Sequence, residues 1–298
     1  MTEPHLAETV RRIELVARHL VEEQFVGQYD SLFKGRGMEF SESREYVPGD
    51  DVRAIDWNLT ARQGKPFVKL NVEERELSLI LAVDVSRSQE FGSREKSKRE
   101  LAGEIAAALT FAAIRGNNKV GLLLYGEKLE KFVRPAKGRR HGLRILREIL
   151  EPVVCEGPGT DLDGALEHLG RTCPKHSLVF VLSDFLESPF SDQLTLASRR
   201  FDMAAMRLLD RREQEIPDVG RVRLRDLETG EQLVLNTSDA SFQKEQEERF
   251  RAHSNELCEG FRKIGVDFVE FCTDEEMGPK LVQFLRGRAR RRARRRAS

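Results

Sequence analysis

Two short apolar runs, each followed by an aspartate, constrain the fold of this chain most strongly. The first run covers Leu77–Val83 and precedes Asp84, and the second covers Leu178–Leu182 and precedes Ser183 and Asp184. Runs that are apolar at nearly every position are typical of strands in a parallel sheet, because helices bury both faces of such a sheet. The sequence therefore predicts a central parallel sheet with an aspartate just beyond the carboxyl end of two strands.

Strands and helices alternate along the rest of the chain. The pattern predicts strands over 77–83, 119–125, 129–134, 177–182, 201–209 and 265–271, and a hairpin of 221–226 with 231–235 that turns at Glu228-Thr229-Gly230. Helices are predicted near 95–115, 139–150, 161–170, 190–199 and 240–263. Such alternation is typical of a doubly wound, mostly parallel α/β sheet.

The predicted organisation has three parts. Residues 1–76 form an extension, with an amphipathic helix over 5–26 and irregular structure after it. Residues 77–285 form the α/β domain, and residues 286–298 form an Arg-rich disordered tail.

The tail has eight arginines and no acid, whereas the remaining residues comprise 42 basic and 50 acidic ones. A basic tail on an acidic body can bind nucleic acid, an anionic membrane or an acidic protein, or fold back on its own body.

Composition indicates a globular, cytoplasmic protein. Of the 298 residues, 34% are charged, and no apolar stretch approaches the roughly 20 residues that span a bilayer. Residues 1–30 contain acidic residues and no apolar segment typical of a secretory signal. The four cysteines are scattered without metal-binding spacing, which predicts reduced thiols.

Three polar segments follow predicted strands or precede a predicted helix. They contribute five oxygen-bearing side chains, namely Asp84, Ser86, Ser88, Thr160 and Asp184. Ligand sites in α/β sheets gather at the carboxyl ends of the strands. Hydroxyl and carboxylate oxygens are hard ligands that suit Mg²⁺ or Mn²⁺, so the sequence predicts a divalent-metal site there.

These five positions resemble the metal-ion-dependent adhesion site (MIDAS) of the von Willebrand factor A domain. That family's pattern is Asp-x-Ser-x-Ser, then a Thr in a Gly-Thr-Asp-like loop, then an Asp after a later strand. The resemblance implies a von Willebrand A or Rossmann-like fold, in which the hydroxyls contact the ion directly and the carboxylates act partly through water. A partner's Asp or Glu then completes the coordination. The alternative is a site that has lapsed into structural polar contacts.

A second resemblance lies in the segment Gly35–Lys69, with a later stretch at Ile216–Asn236. This signature is similar to that of a bacterial family of unknown function that carries a von Willebrand A-like domain, and whose genes commonly lie beside those of MoxR-type AAA+ ATPases. The matching residues are Phe40, Arg44, Tyr46, Gly49, Asp50, Asp51, Arg53, Asp56, Trp57, Ala61 and Arg62.

The resemblance implies a protein-interaction module that is an adaptor or chaperone partner of a MoxR-type AAA+ ATPase, with that ATPase or a carboxylate-bearing client as its partner. The alternative is a scaffold that assembles through the Arg44–Trp57 region or the basic tail, with protein, nucleic acid or an anionic membrane, while the metal is incidental. Within Arg44–Trp57, opposite charges predict an ion-paired loop around Pro48-Gly49. Trp57, the only tryptophan, is predicted to anchor the segment in an apolar pocket.

Familiar catalytic patterns find no support, so a non-enzymatic protein is predicted. Ser86 stands where a haloacid-dehalogenase-type phosphatase needs a second aspartate, and no Gly-x-Ser-x-Gly elbow is present. The Gly64-Lys65 pair lacks the flanking residues of a phosphate-binding loop. The six histidines form no zinc-binding pair on a helix.

Overall fold

The computed structural model describes residues 9–15, 17, 43–69, 77–94, 96–151, 157, 159–225 and 232–297. Its strands are β1 (Ser43–Glu45), β2 (Phe67–Lys69), β3 (Ser78–Asp84), β4 (Lys119–Tyr125), β5 (Leu129–Ala136), β6 (Leu178–Ser183), β7 (Asp202–Leu209), β8 (Arg221–Arg225), β9 (Gln232–Asn236) and β10 (Asp267–Cys272). Its helices are α1 (residues 9–15 and 17), α2 (Trp57–Gln63), α3 (Lys98–Arg115), α4 (Arg139–Leu150), α5 (Leu162–Thr172), α6 (Asp192–Arg200), α7 (Arg211–Gln214), α8 (Ala240–Lys263) and α9 (Met277–Ala297).

Six strands form the central sheet, in the order β10-β7-β6-β3-β4-β5. Neighbouring strands are parallel from β10 to β4, and only the edge strand β5 is antiparallel to its neighbour β4. The predicted doubly wound, mostly parallel α/β sheet is therefore confirmed. A separate hairpin joins β8 to β9, as predicted, while its predicted turn lies outside the described residues.

Side chains of each central strand alternate between two cores. In β3, Leu79, Leu81 and Val83 pack into a core covered by α3, α4 and α9, with Ile13 and Ala17 of α1 at its margin. The intervening residues of β3 pack into the opposite core, which α5, α6 and α8 cover. Both faces of the sheet are therefore buried, which explains why the strand sequences are almost continuously apolar.

The N-terminal signature is held by polar contacts. β1 pairs with β2, and the guanidinium of Arg44 lies 2.6 Å from the carboxylate of Asp50, which confirms the predicted ion-paired loop. Asp56 caps α2 by accepting hydrogen bonds from two backbone amides. The predicted apolar pocket for Trp57 is wrong, because its side chain sits at the first position of α2 and is 67% exposed.

The Arg-rich tail differs from its prediction. Residues 286–297 continue α9 as a helix, so a disordered segment from residue 286 onward is not observed. Arg288 in this part of the helix is completely buried, and its guanidinium lies 2.5 Å from Asp202 and 3.1 Å from Asp267. Within the described ranges, no helix is long and apolar enough to cross a membrane.

Replacing Arg288 with Met should strongly destabilise the fold, because Asp202 and Asp267 would keep charges without their buried partner. Losing one partner of a buried ion pair typically costs about 3–5 kcal/mol. The free energy of unfolding, measured in urea, checks this expectation. Arg290→Met is the control, since Arg290 is an exposed residue of the same helix. Equal stability of both variants would contradict the anchoring role of Arg288.

Candidate metal centre

The site begins at the carboxyl ends of two neighbouring strands. β3 and β6 are parallel, with Val83 beside Leu182 in the register. Asp84 is therefore the last residue of β3 and lies next to Ser183, the last residue of β6. The strand pairing explains how residues about a hundred positions apart in sequence come together.

Asp84 is buried, and both of its carboxylate oxygens accept hydrogen bonds. Its Oδ1 accepts a hydrogen bond from the backbone amide of Ser86, at 2.9 Å. Its Oδ2 accepts from the hydroxyl of Ser183 at 2.7 Å and from the side-chain amide of Gln89 at 3.4 Å. The carboxylate thus fixes the start of the loop that carries the two predicted serine ligands.

Ser86 and Ser88 lie at the start of a short 3-10 helix, Arg87–Glu90. Both are buried, and their hydroxyl oxygens are 3.0 Å apart. The two oxygens are thus held side by side, as ligands of one ion would be.

Thr160 and Asp184 line a single cavity of about 350 Å³, together with Tyr125 and Ser183. The backbone amide of Asp161 donates to the carbonyl of Gly126 at 2.7 Å, which ties the Thr160 loop to the end of β4. All five predicted ligands therefore lie at the same edge of the sheet. Asp84 and Asp184 are both buried there.

The electrostatics of the site are dominated by its two carboxylates. Burial, together with the negative charge of Asp184, raises the pKa of Asp84 to about 6, while hydrogen bonds from Ser183 and Ser86 partly oppose the shift. Burial and the charge of Asp84 also raise the pKa of Tyr125, which stays protonated. Positive charge added near Asp84 and Asp184 would therefore be stabilised.

One cation already present was missed by sequence reasoning. The ammonium of Lys98 is fully buried and lies 2.8 Å from Asp184 Oδ2 and 2.6 Å from Glu213 Oε1. Burial opposes its charge, but the two carboxylates prevail and the pKa of Lys98 is raised. The available signal was its place one residue after the capping serine Ser97, at a helix start where a lysine is unfavourable.

The residues present fit a hard divalent cation. In the part of the chain that the structure describes, no group of three or more His, Cys, Asp or Glu side chains could hold a metal. The hydroxyls of Ser86, Ser88 and Thr160 would therefore have to supply most of the ligands. Two buried polar atoms beside them, Gln89 Oε1 and the Tyr125 hydroxyl, have no hydrogen-bond partner among the described residues. These unsatisfied oxygens suit a site completed by a hydrated ion.

Comparison with known families and curated proteins gives one family match and two similar proteins from mycobacteria. The model of a family described as "Protein of unknown function DUF58" matches residues 42–256. The uncharacterized protein Rv1480 of Mycobacterium tuberculosis is 34% identical over 292 residues, which cover 97% of this chain and 91% of that protein. The uncharacterized protein MAV169 of Mycobacterium avium is 31% identical over 160 residues, covering 52% of this chain and 94% of that protein.

Solved structures with a similar arrangement are more distant. An aerotolerance-related membrane protein from Bacteroides fragilis is 16% identical, with a TM-score of 0.46, and covers 70% of this chain and 98% of that one. The SpRpn10 VWA domain is 9% identical, with a TM-score of 0.40, and covers 70% of this chain and 94% of that one.

Asp84→Asn should stabilise the metal-free protein at about pH 8. In the folded wild type the pKa of Asp84 is about 6 against an ordinary value of 3.8, so its ionised form costs stability above pH 6. That cost disappears as the pH falls from about 6 through about 4, because the folded state then takes up the proton first. Asparagine keeps the shape and the acceptor for Ser86, and the Ser183 hydroxyl can turn to accept.

Thermal unfolding with a chelator checks this expectation. The variant should melt a few degrees above wild type at about pH 8, and the difference should narrow between about pH 6 and pH 4. A difference that stays constant across this range would contradict the raised pKa of Asp84.

Proposed function

The chain belongs to the DUF58 family, and we propose that it is a non-enzymatic protein-interaction module that depends on Mg²⁺ or Mn²⁺. One observation carries this proposal: two buried carboxylates and three hydroxyl residues meet at one sheet edge. They are Asp84, Asp184, Ser86, Ser88 and Thr160, and two of them, Asp184 and Thr160, line the cavity of about 350 Å³.

Each residue has a distinct part in this proposal. The hydroxyls of Ser86, Ser88 and Thr160 would hold the ion, and Asp84 keeps the serine loop in place through the Ser86 amide. When bound, the ion supplies an electrophilic centre that accepts an anionic oxygen. Because the hydroxyl ligands are neutral, much of that capacity remains for a ligand from outside the chain.

The ligand that fits is a carboxylate from another protein. Leu186, on the rim of the cavity, is 55% exposed and offers apolar contact to a docked chain. The partner we propose is a MoxR-type AAA+ ATPase or its client, on the basis of the resemblance of the N-terminal signature. This chain would then provide recognition as an adaptor, while the ATPase provides energy.

The surroundings of the site support binding over turnover. Ser183, a buried residue of the cavity lining, donates its hydrogen bond to Asp84, and the Ser86 hydroxyl contacts Ser88. Among the described residues around the cavity, no histidine is available as a proton acceptor. Neither serine is therefore arranged as an activated nucleophile.

Thr160→Val should weaken metal binding and leave the fold intact, since valine has nearly the same shape and lacks the hydroxyl. For wild type, a cation at one hundred times its dissociation constant should stabilise the fold by about 2.7 kcal/mol. Thermal unfolding with Mn²⁺ and with a chelator measures that gain. Thr172→Val is the control, because Thr172 is an exposed residue outside the cavity lining, and its hydroxyl contacts the His168 carbonyl and the Cys173 sulfur. Equal metal stabilisation of Thr160→Val and wild type would exclude Thr160 as a ligand.

Partner capture should depend on the metal. Tagged wild-type protein in Mg²⁺ should retain a partner from native lysate, whereas chelator should release it, and so should Asp84→Ala, which removes the acceptor that holds the Ser86 amide. The same proteins retained in all three conditions would show that the metal site is not the recognition surface.

A second candidate function is a scaffold that binds through the N-terminal signature. It is favoured by three exposed apolar side chains there, Val47, Val52 and Trp57, each more than half exposed. In that case Trp57→Ala would abolish complex formation, and chelator would leave it unchanged.

A further inference from the structure

We infer that Lys98 is a built-in counter-cation that sets how tightly this site holds a divalent ion. The inference rests on the proposed function and deepens it, because it names the residue that regulates the metal. Lys98 does not ligate the ion. It shares the carboxylate of Asp184 with it.

The geometry of the ammonium group supports this role. The side chain of Lys98 is 0% exposed, and its Nζ lies 2.8 Å from Asp184 Oδ2. Asp184 is itself buried, with its side chain 4% exposed. In such surroundings charges interact strongly, because little water screens them. A positive charge at this distance therefore neutralises much of the negative charge that Asp184 offers to an ion.

The position of Lys98 in the fold is unfavourable in itself. It is the first residue of α3, after the capping box formed by Ser97 and Glu100. The amino end of a helix carries partial positive charge, so a buried cation there is repelled. Asp184 and Glu213 offset this cost. The two carboxylates therefore hold a cation beside the proposed site at a position where the helix alone disfavours one.

Glu213 is fixed independently of Lys98. Its Oε2 accepts a hydrogen bond from the backbone amide of Asp210 at 2.9 Å, while its Oε1 lies 2.6 Å from Lys98. Asp210 in turn accepts hydrogen bonds from the Ser93 amide and the Thr273 hydroxyl. Glu213 is thus a second, rigidly held partner, and the charge of Lys98 is divided between it and Asp184.

This division predicts opposite effects for two substitutions. Lys98→Met keeps a long apolar side chain but removes the ammonium that neutralises Asp184. The carboxylate of Asp184 then attracts a divalent ion more strongly, so the affinity for the metal should rise. Glu213→Gln removes the competing carboxylate, so Lys98 neutralises Asp184 more completely and the affinity should fall. A residue that only fills space would not give opposite signs.

Calorimetric titration with Mn²⁺ alone tests the inference on the full chain. Lys98→Met should bind about tenfold more tightly than wild type, and Glu213→Gln several-fold more weakly. The control is Lys96→Met. It removes the same charge two residues away, but Lys96 pairs with Glu104, whereas Asp184 and Glu213 pair with Lys98. It should therefore leave the affinity close to that of wild type.

Each outcome has a definite meaning. Lys98→Met binding no more tightly than wild type would overturn the inference while leaving the proposed metal site in place. Binding by Lys98→Met but not by wild type would support the inference and contradict the proposed function. If neither binds, both fail. A gain in Lys96→Met as large as that in Lys98→Met would overturn the inference, because overall charge would then explain it.

Thermal unfolding provides a second readout. Without metal, Lys98→Met should melt below wild type, since Asp184 loses the buried ammonium that pairs with its carboxylate, and Mn²⁺ should restore more stability than it adds to wild type. If Lys98→Met does not fold without metal, the Mn²⁺ affinity of Glu213→Gln tests the inference instead. A Mn²⁺ affinity of Glu213→Gln equal to or above that of wild type would overturn the inference.

Discussion

The pairing of β3 with β6 at the middle of the sheet places Asp84 and Asp184 in one buried region, and the surrounding structure compensates for their charge. Two like charges removed from water repel each other and lose hydration, which is costly unless polar partners are supplied. The Ser86 amide, the Ser183 hydroxyl and Lys98 supply such partners. These partners do not fully offset burial and the charge of Asp184, so the pKa of Asp84 remains raised. The uncompensated negative charge is the physical basis for expecting a cation at this end of the strands.

The compensation extends well beyond the two aspartates. Lys98 belongs to α3, and Glu213 belongs to α7, which follows β7. Arg207 of β7 donates to the backbone carbonyl of Asp184 at 3.0 Å and also contacts Glu270 of β10. The charge of one strand end is therefore coupled to helices and strands across the sheet. Such a network gives the site a fixed geometry, because no member can move without exposing an unsatisfied charge.

Features that depend on neighbouring residues, such as strands and helices, could be predicted from the sequence, whereas contacts between residues far apart in the sequence could not. The strands and helices could be predicted closely because burial on both faces makes their sequences almost continuously apolar, and β4, α4 and α8 have the predicted bounds. The grouping of Ser86, Thr160 and Asp184 followed from the rule that strand ends share an edge. Lys98 was missed because its partners lie far along the chain. The burial of Arg288 was missed for the same reason, since its partners Asp202 and Asp267 are remote in sequence.

The buried arginine Arg288 and the proposed metal site lie at opposite ends of the parallel strands. Asp202 and Asp267 are the first residues of β7 and β10, so Arg288 is anchored at the amino ends of the strands, whereas Asp84 closes the carboxyl end of β3. A strand of eight residues spans roughly 25 Å, so the arginine-rich end of α9 and the metal centre are separated by about the height of the sheet. Arg288 and Arg291 are also engaged by aspartates of their own chain, which reduces the charge left for an acidic ligand. A ligand of the basic helix and a ligand of the proposed metal site would therefore contact different surfaces, and sensitivity to salt and to chelator would distinguish the two.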